Sequence, residues 1–370
     1  MDDSITYVGL DAHKKTISVA VAEPGRAGAV RSLGSIANQP ATVARLAKKL
    51  AAAHGKLRFC YEAGPCGYGL QRQLRALGHD CVVAAPSLIP RRPGDRVKTD
   101  RRDGVTLARS DRAGELTLVW VADPAHEAMR DLVRGREQAV AELRRHRQQL
   151  QALLLRHGRL WLGKKSWTRA HLAWVAGLTW QHPAHRILVD DQLAAITAAL
   201  ARRDRLTGEI EALVPDWRLA PVVTALQAMR GIALISAVTL VAAIGDITRF
   251  QTARQLMGYL GLVPSEHSSG PKRRQGGITK AGNNSARRVL VEGAWTYRSP
   301  PRLTPAMQAR QIGLPKAVRD IAWTAQRRLC ARYRALTALR KPNPVIATAI
   351  AREMVGFIWA IARAAQPHQG

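Results

Sequence analysis

The feature that most constrains the fold is the opening alternation of short apolar runs with helical patterns. In "ITYVGLDAHKKTISVAVAE" (5–23), a continuous apolar run ends at Asp11, and a second run, "ISVAVA", alternates about a short polar turn. Two strands are the expected result. Residues 40–53 carry a helical pattern, and "LRFCYEAG" reads as a further strand. A helix through "YGLQRQLRALG", a strand at "DCVVAA", a helix over roughly 98–110 and a last strand at "LTLVWV" complete the series. Alternation of this kind predicts an α/β layered domain over about the first 124 residues.

The pattern then changes. Residues 125–160 form a long Arg-rich helical stretch with Leu132, Ala139, Leu143, Leu150 and Leu154 at near-heptad spacing, and 186–214 form a second. Two antiparallel helices making a coiled-coil arm over 125–215 fit this, as does an ordinary helical subdomain. Trp161, Trp167, Trp174 and Trp180 cluster between the two helices, where packing is expected. From 216 to 300 the chain is compact again. "LQAMRGIALISAVTLVAAIGDITRF" suggests two apolar helices in a helix–hairpin–helix-like unit, and a Gly/Ser/Lys/Arg-rich loop follows. Residues 301–370 read as a basic helical extension.

Charge narrows the partners. Lys and Arg number 57 against 27 Asp and Glu, a formal net charge of +30, while 46% of residues are hydrophobic. A folded chain with so basic an exterior favours a polyanion. There is no uninterrupted apolar run long enough to span a bilayer and no leader pattern at the N-terminus. The expectation is therefore a cytoplasmic, nucleoid-associated protein that binds nucleic acid rather than membrane. Cys60, Cys66, Cys81 and Cys330 show no zinc-ligand spacing and read as reduced thiols.

Against this basic background, "VKTDRRDGVTLAR" places Asp100 and Asp103 three apart, on one face of a helix. Like charges so placed repel unless something bridges them, and Mg²⁺ accepts one or two carboxylates with water and phosphate in its other positions. Asp11 ends the first strand and Glu62 ends "FCYE". Strand-end carboxylates beside a helical pair can converge at one sheet edge and hold two metals about 4 Å apart around a scissile phosphate. Each residue taken singly reads more simply as a turn, capping or salt-bridging carboxylate; the set of four in this order is what points to chemistry. Lys98, Arg101 and Arg102 stand beside them as candidate backbone contacts.

Three stretches, "VGLDAHKKTISVAV", "YEAGPCGYGL" and "VKTDRRDGVTLAR", resemble the N-terminal RuvC-like (RNase H-fold) domain of insertion-sequence-110 family transposases. The segments "LQAMRGIALISAVTLVAAIGDITRF" and "ARQLMGYLGLVPSEHSSGPKRRQGGITKAGNNSARRVLVEGA" are similar to the family's C-terminal transposase domain. The resemblance covers roughly 1–120 and 220–295. It implies a DEDD tetrad at Asp11, Glu62, Asp100 and Asp103, using Mg²⁺, and a catalytic serine in the "HSSG" loop. It further implies a recombinase guided by a noncoding bridge RNA that pairs with donor and target DNA, acting as dimers that pair into tetramers. Where the family pattern leads one to expect alanine, this chain has Gly104, which weakens a helix by up to about 1 kcal/mol.

Ser269, directly before Gly270, is the favoured nucleophile, and Ser268 is second. A serine attacking a phosphodiester needs activation and charge neutralisation. Lys272, Arg273, Arg274 and Lys280 supply cations nearby, and "GGITKAGNNSARR" reads either as a phosphate-binding turn with Asn283, Asn284 and Arg287 or as an ordinary capped helix. On the arm, Arg144, Arg145, Arg147 and Arg156 are candidate backbone contacts, with a solvated helix face as the plain alternative. Two other functions fit the same residues: a structure-specific, Holliday-junction-type nuclease using water, and a non-catalytic RNA-binding scaffold. A covalent protein–DNA species separates the first from a recombinase, and indifference to Asp100→Ala would mark the second.

Overall fold

A computed structural model of the chain describes residues 4–90, 100–266, 268–269 and 274–365, except the Arg101 side chain. The chain divides into two compact units, residues 1–121 and 122–370.

The first unit is a five-stranded mixed sheet in the order β3-β2-β1-β4-β5. Its strands are β1 (Thr6–Ala12), β2 (Thr16–Ala22), β3 (Val30–Ala37), β4 (Leu57–Glu62) and β5 (Asp80–Ala84), with helices α1 (Pro40–His54), α2 (Gly69–Ala76) and α3 (Asp100–Arg112). β1 runs antiparallel to β2, and β2 to β3; β4 is parallel to both β1 and β5. Strand alternation sorts the side chains by size. Val8, Leu10, Val19, Val21, Phe59 and Tyr61 form one core with Val43, Ala47 and Leu50 of α1 and Leu74 of α2. The opposite face carries small residues, with Ala20 and Ala22 against Ala108 of α3, and Cys60 and Ala84 against Leu107.

That smallness lets α3 lie close on the sheet. A Cβ placed on Gly9 would sit 2.2 Å from the Gly104 carbonyl oxygen and 2.5 Å from the Ala108 nitrogen. At its far end α3 is tied down by Asp111, whose carboxylate receives Arg58 Nε of β4 at 3.1 and 3.2 Å. Burial raises the Asp111 pKa, and the Arg58 guanidinium opposes the rise.

Two strand expectations need correction. β3 forms without strand-like alternation: "VRSLGSIA" spaces Val30, Leu33 and Ile36 three apart rather than two and is mostly exposed. Conversely, "LTLVWV" forms no named strand. It meets β5 through an Ala84–Leu118 bridge and the hydrogen bonds Ala85 N–H to Thr117 O and Val119 N–H to Val83 O, both 2.8 Å.

The second unit begins with the long helix α4 (Pro124–Arg156), capped by Asp123, which accepts from the His126 amide at 2.7 Å. After α5 (Arg169–Ala176), helix α6 (Pro183–Leu213) returns along α4. Arg136 Nε donates to Thr207 Oγ1 at 2.8 Å, and Glu142 receives Arg202 at 2.6 Å. Partner numbers fall along α6 as they rise along α4, so the pair is antiparallel. Leu143, Leu150, Leu153 and Leu154 meet Val189, Ile196 and Ala199 between them, and Trp167, Trp174 and Trp180 pack against this seam.

The rest comprises α7 (Ala220–Leu226), α8 (Leu234–Ile244), α9 (Ala253–Tyr259), the hairpin β6 (Pro264–Glu266) and β7 (Gln275–Ile278), α10 (Asn284–Ala294), α11 (Pro305–Gln311), α12 (Lys316–Ala338) and α13 (Asn343–Ala365). The last two helices are not a basic appendage. Ile346, Ile350, Met354, Val355, Ile358 and Ile361 of α13 and Val318, Ala322 and Leu329 of α12 lie in one core with α7, α8 and α10. The arginines of α12 occupy its outer face, which is what the composition of 301–370 reports. Among the described residues, α13 is the helix long and apolar enough to cross a membrane, and half of its most apolar window is buried in this core.

Candidate active site and serine loop

Asp11 and Glu62 stand at the carboxyl ends of adjacent parallel strands, one step beyond the Leu10–Tyr61 register pair. Both follow the alternation of Gly9 and Cys60, so both belong to the face that α3 covers. The same helix begins with Asp100 and Asp103. The close approach at Gly9 is therefore what brings the acidic first turn of α3 over the strand ends.

Asp11 is the most enclosed of the observed cluster, with its side chain 14% exposed against 65% for Asp100. Burial raises its pKa, His13 opposes that, and the charges of Asp103 and then Asp100 add to the rise. His13 Nε2 lies 3.2 Å from Asp11 Oδ2 and 3.7 Å from Asp100 Oδ1. Donor atoms of Asp11, His13 and Asp100 all fall within 4.8 Å of one another. The β1–β2 turn that carries His13 is itself fixed: Asn38 Nδ2 donates to the His13 carbonyl at 2.7 Å, and the His13 amide donates to Thr16 O at 2.8 Å.

Two or three oxygen and imidazole donors at this spacing suit a divalent cation. Among the four predicted carboxylates, the structure brings Asp11 and Asp100 together, with Asp103 close enough to act on Asp11 electrostatically. Glu62 is exposed beside them at the neighbouring strand end. Its following loop is anchored by the Tyr61 hydroxyl, which donates to Gly67 O at 2.9 Å. His13 was missed from sequence. His13 lies one residue past the end of β1, where strand alternation no longer fixes the side on which a residue falls.

In the second unit, Ser268 and Ser269 lie on the connection between β6 and β7. The Ser268 hydroxyl donates to Glu266 Oε1 at 2.8 Å and receives the Arg274 amide at 3.2 Å, so it is engaged in the turn. Ser269 is exposed. Lys98, Lys272, Arg273 and the Arg101 side chain lie outside the described residues. Arg102 and Lys280 are exposed.

Two predicted phosphate contacts, Asn283 and Arg287, make structural hydrogen bonds. Asn283 Oδ1 caps α10, accepting from the Ala286 amide at 3.0 Å. Arg287 donates to the carbonyls of Leu260 and Gly282 at 3.2 and 3.1 Å, and to that of Ala281. It thereby clamps the α9 exit to the α10 entry, where a Cβ on Gly282 would lie 2.0 Å from Tyr259 O. Both bonds accord with the capped-helix reading of "GGITKAGNNSARR". On the arm, Arg144 and Arg145 are exposed, while Arg147 stacks over the Trp167 ring at 5.0 Å.

An α/β sheet with acidic residues converging at its strand ends, followed by a basic helical unit with a serine-bearing hairpin, defines a nucleic-acid-processing enzyme with a carboxylate centre. Comparison with known families agrees. Residues 8–158 match the DEDD transposase family model of the IS110 group, and residues 223–309 match the model described as Transposase IS116/IS110/IS902 family. A Sinorhizobium fredii protein named as a transposase, y4qE, is 52% identical over 360 residues, 97% of this chain and 89% of that one. The transposase for insertion sequence element IS1533 of Leptospira borgpetersenii is 28% identical over 338 residues, 90% of this chain and 97% of that one. The chain belongs to the IS110 family of transposases, enzymes that cleave and rejoin DNA strands.

Proposed function

We propose that the chain is an RNA-guided DNA recombinase whose α/β unit is RNase H-like and whose DEDD set is Asp11, Glu62, Asp100 and Asp103, with Ser269 as nucleophile. The observation that carries the carboxylate assignment is the convergence of Asp11 and Asp100 donor atoms with His13 within 4.8 Å at the strand ends. The carboxylate oxygens of Asp11 and Asp100 fit Mg²⁺, which when bound would polarise a phosphate oxygen and neutralise the charge developing on it. His13, against Asp11, orients that carboxylate; Asp100 and Asp103 bring charge from the helix side. Engagement of Ser268 in its turn supports Ser269 as the attacking hydroxyl. In that step the Ser269 Oγ–P bond forms as a sugar P–O bond breaks, the serine loses its proton and the departing sugar oxygen gains one. The bond energy kept in the phosphoserine serves rejoining.

The strongly basic composition supports a second polyanion beside DNA, which is the place of a noncoding bridge RNA supplying sequence choice by pairing. Arg102, Arg274 and Lys280 are proposed backbone contacts, as are Lys98, Arg101, Lys272 and Arg273. The α7–α8 pair, joined through Gly231 at φ +81°, is proposed as the helix–hairpin–helix-like element. Assembly into dimers and tetramers is proposed on the resemblance.

The test is a denaturing gel for a covalent protein–DNA species. Protein co-expressed with RNA from its flanking DNA is incubated with donor and target duplexes and Mg²⁺. Wild type and Ser268→Ala should give an adduct; Ser269→Ala and Asp100→Ala should not. Metal-dependent cutting without an adduct in any lane would replace this proposal with the hydrolytic nuclease.

A further inference from the structure

The second unit contains a half-open cavity of about 670 Å³ lined by residues of α4, α6, α8 and α10 together with Trp167. Five arginines line it: Arg136, Arg144 and Arg147 from α4, Arg203 from α6 and Arg288 from α10. Three of them already have partners: Arg288 has Glu137 and Glu292, Arg136 has Thr207, and Arg203 has the exposed Asp204 beside it. Among the described residues, Arg144 and Arg147 form no ion pair. The Arg147 Nε is buried and makes no hydrogen bond, while its guanidinium is pinned on the face of Trp167. Burial and the neighbouring Arg203 charge both oppose the ionisation of Arg147. Unmatched cations crowded about one space are costly to keep unless an anion enters it.

Trp167 adds a second sign of purpose. It lies at φ +65°, a left-handed conformation that bulky residues rarely adopt. Such backbone is retained chiefly where a side chain must be aimed. Here the ring holds Arg147 by one face and meets His171 edge-on at 5.1 Å. Beyond the arginines the lining is aliphatic at Val140, Leu143, Ile235 and Val289 and polar at Ser236 and Thr239, with Glu292 already engaged by Arg288. A cavity with cations on one side and aliphatic side chains on the other suits a ligand that is anionic at one end and flat and apolar at the other. Its volume is that of a small-molecule site.

We propose that this cavity takes one unpaired nucleotide of a nucleic-acid strand, its flanking phosphates on Arg144, Arg147 and Arg203 and its base against the aliphatic wall. The proposal rests on the reading of the chain as a nucleic-acid recombinase, and not on its metal or serine chemistry. RNA and DNA offer the same chemistry here, so the test separates them.

Binding is measured by fluorescence anisotropy on the full chain in EDTA, where neither metal nor strand cleavage contributes. The probes are labelled oligouridylate, oligothymidylate and a fully paired duplex of equal length, each over a range of salt. Arg144→Ala/Arg203→Ala should weaken single-strand binding about tenfold or more. It should also lower the slope of log K against log salt by about 1.4, at about 0.7 per lost phosphate contact. Duplex binding should stay within about twofold, as should all three affinities of Arg205→Ala, which removes an exposed α6 charge outside the cavity. The probe losing more affinity identifies RNA or single-stranded DNA as the source. Should the double variant fail to fold, Arg144→Ala alone, at an exposed position, should lower the slope by about 0.7. Unchanged single-strand binding, or an equal loss on the duplex, overturns the proposal.

Discussion

Replacing Gly9 by alanine tests whether the contact between α3 and β1 sets the carboxylate geometry. The new Cβ would meet the Gly104 oxygen at 2.2 Å and the Ala108 nitrogen at 2.5 Å, and both are backbone atoms that no rotamer change can move aside. Ordinary van der Waals contact begins near 3.4 Å. The helix must therefore retreat by about 1 Å or tilt about its Asp111–Arg58 anchor. Overpacking of this sort costs about 1–3 kcal/mol of stability. The functional loss should be larger than the folding loss, because a displacement of about 1 Å at a catalytic group costs on the order of a hundredfold in rate.

The assay is Mg²⁺-dependent strand cleavage by folded protein, with thermal melting alongside. Gly9→Ala should remain folded at the assay temperature and cleave about a hundredfold more slowly. Gly69→Ala is the control, since its Cβ would meet nothing within 4 Å and should leave both readouts unchanged. Gly104→Ala should also be close to neutral, the gain in helix propensity of about 1 kcal/mol offsetting a tight 3.3 Å approach to the Ser18 carbonyl. Wild-type cleavage by Gly9→Ala would refute the reasoning: the aspartates would then be positioned by something other than the depth at which α3 sits.

Asp111→Ala should cost about 2 kcal/mol, measured by denaturant unfolding, because it removes the two-oxygen partner of Arg58 and leaves it Asp80 alone at 3.5 Å. His13→Ala should weaken Mn²⁺ binding about tenfold by calorimetry, the effect expected when a residue that orients a metal-binding carboxylate is removed. His126, buried against Trp217 and hydrogen-bonded to Ala242 O at 3.0 Å, has its pKa lowered by burial. The unfolded chain then binds the extra proton, so His126 should cost stability as pH falls through about 6.5. The melting temperature of wild type should drop more steeply from neutral to mildly acidic pH than that of His126→Phe.

The sequence displayed what repeats and hid what depends on tertiary approach. β1, β2, β4 and β5 were legible because their apolar residues run continuously or alternate, and α4 and α6 because their leucines recur over many turns. β3 was hidden by its exposed, three-spaced pattern, stabilised by pairing with β2 rather than by its own side chains. Asp11 and the Asp100/Asp103 pair could be picked out by residue type and spacing, yet nothing in the string says that His13 turns back toward Asp11. Nor could spacing show that Arg287 uses its Nη1 on the main-chain carbonyls of Leu260, Ala281 and Gly282. The basic composition of 301–370 masked α13, whose inner face is as apolar as any in the protein.

The place of α13 in chain order has a consequence for synthesis. Residues 1–121 have every strand and helix of their unit once α3 and the segment behind it have left the ribosome, and domains commonly fold in that order. The serine-bearing unit cannot follow suit, because α7, α8 and α10 close their core on a helix translated some fifty residues after the last of them. A nascent or truncated chain would thus carry a formed carboxylate centre and an unfinished serine scaffold. Premature stops before α13 would leave the α/β unit with all its elements and the second unit without the helix that closes its core.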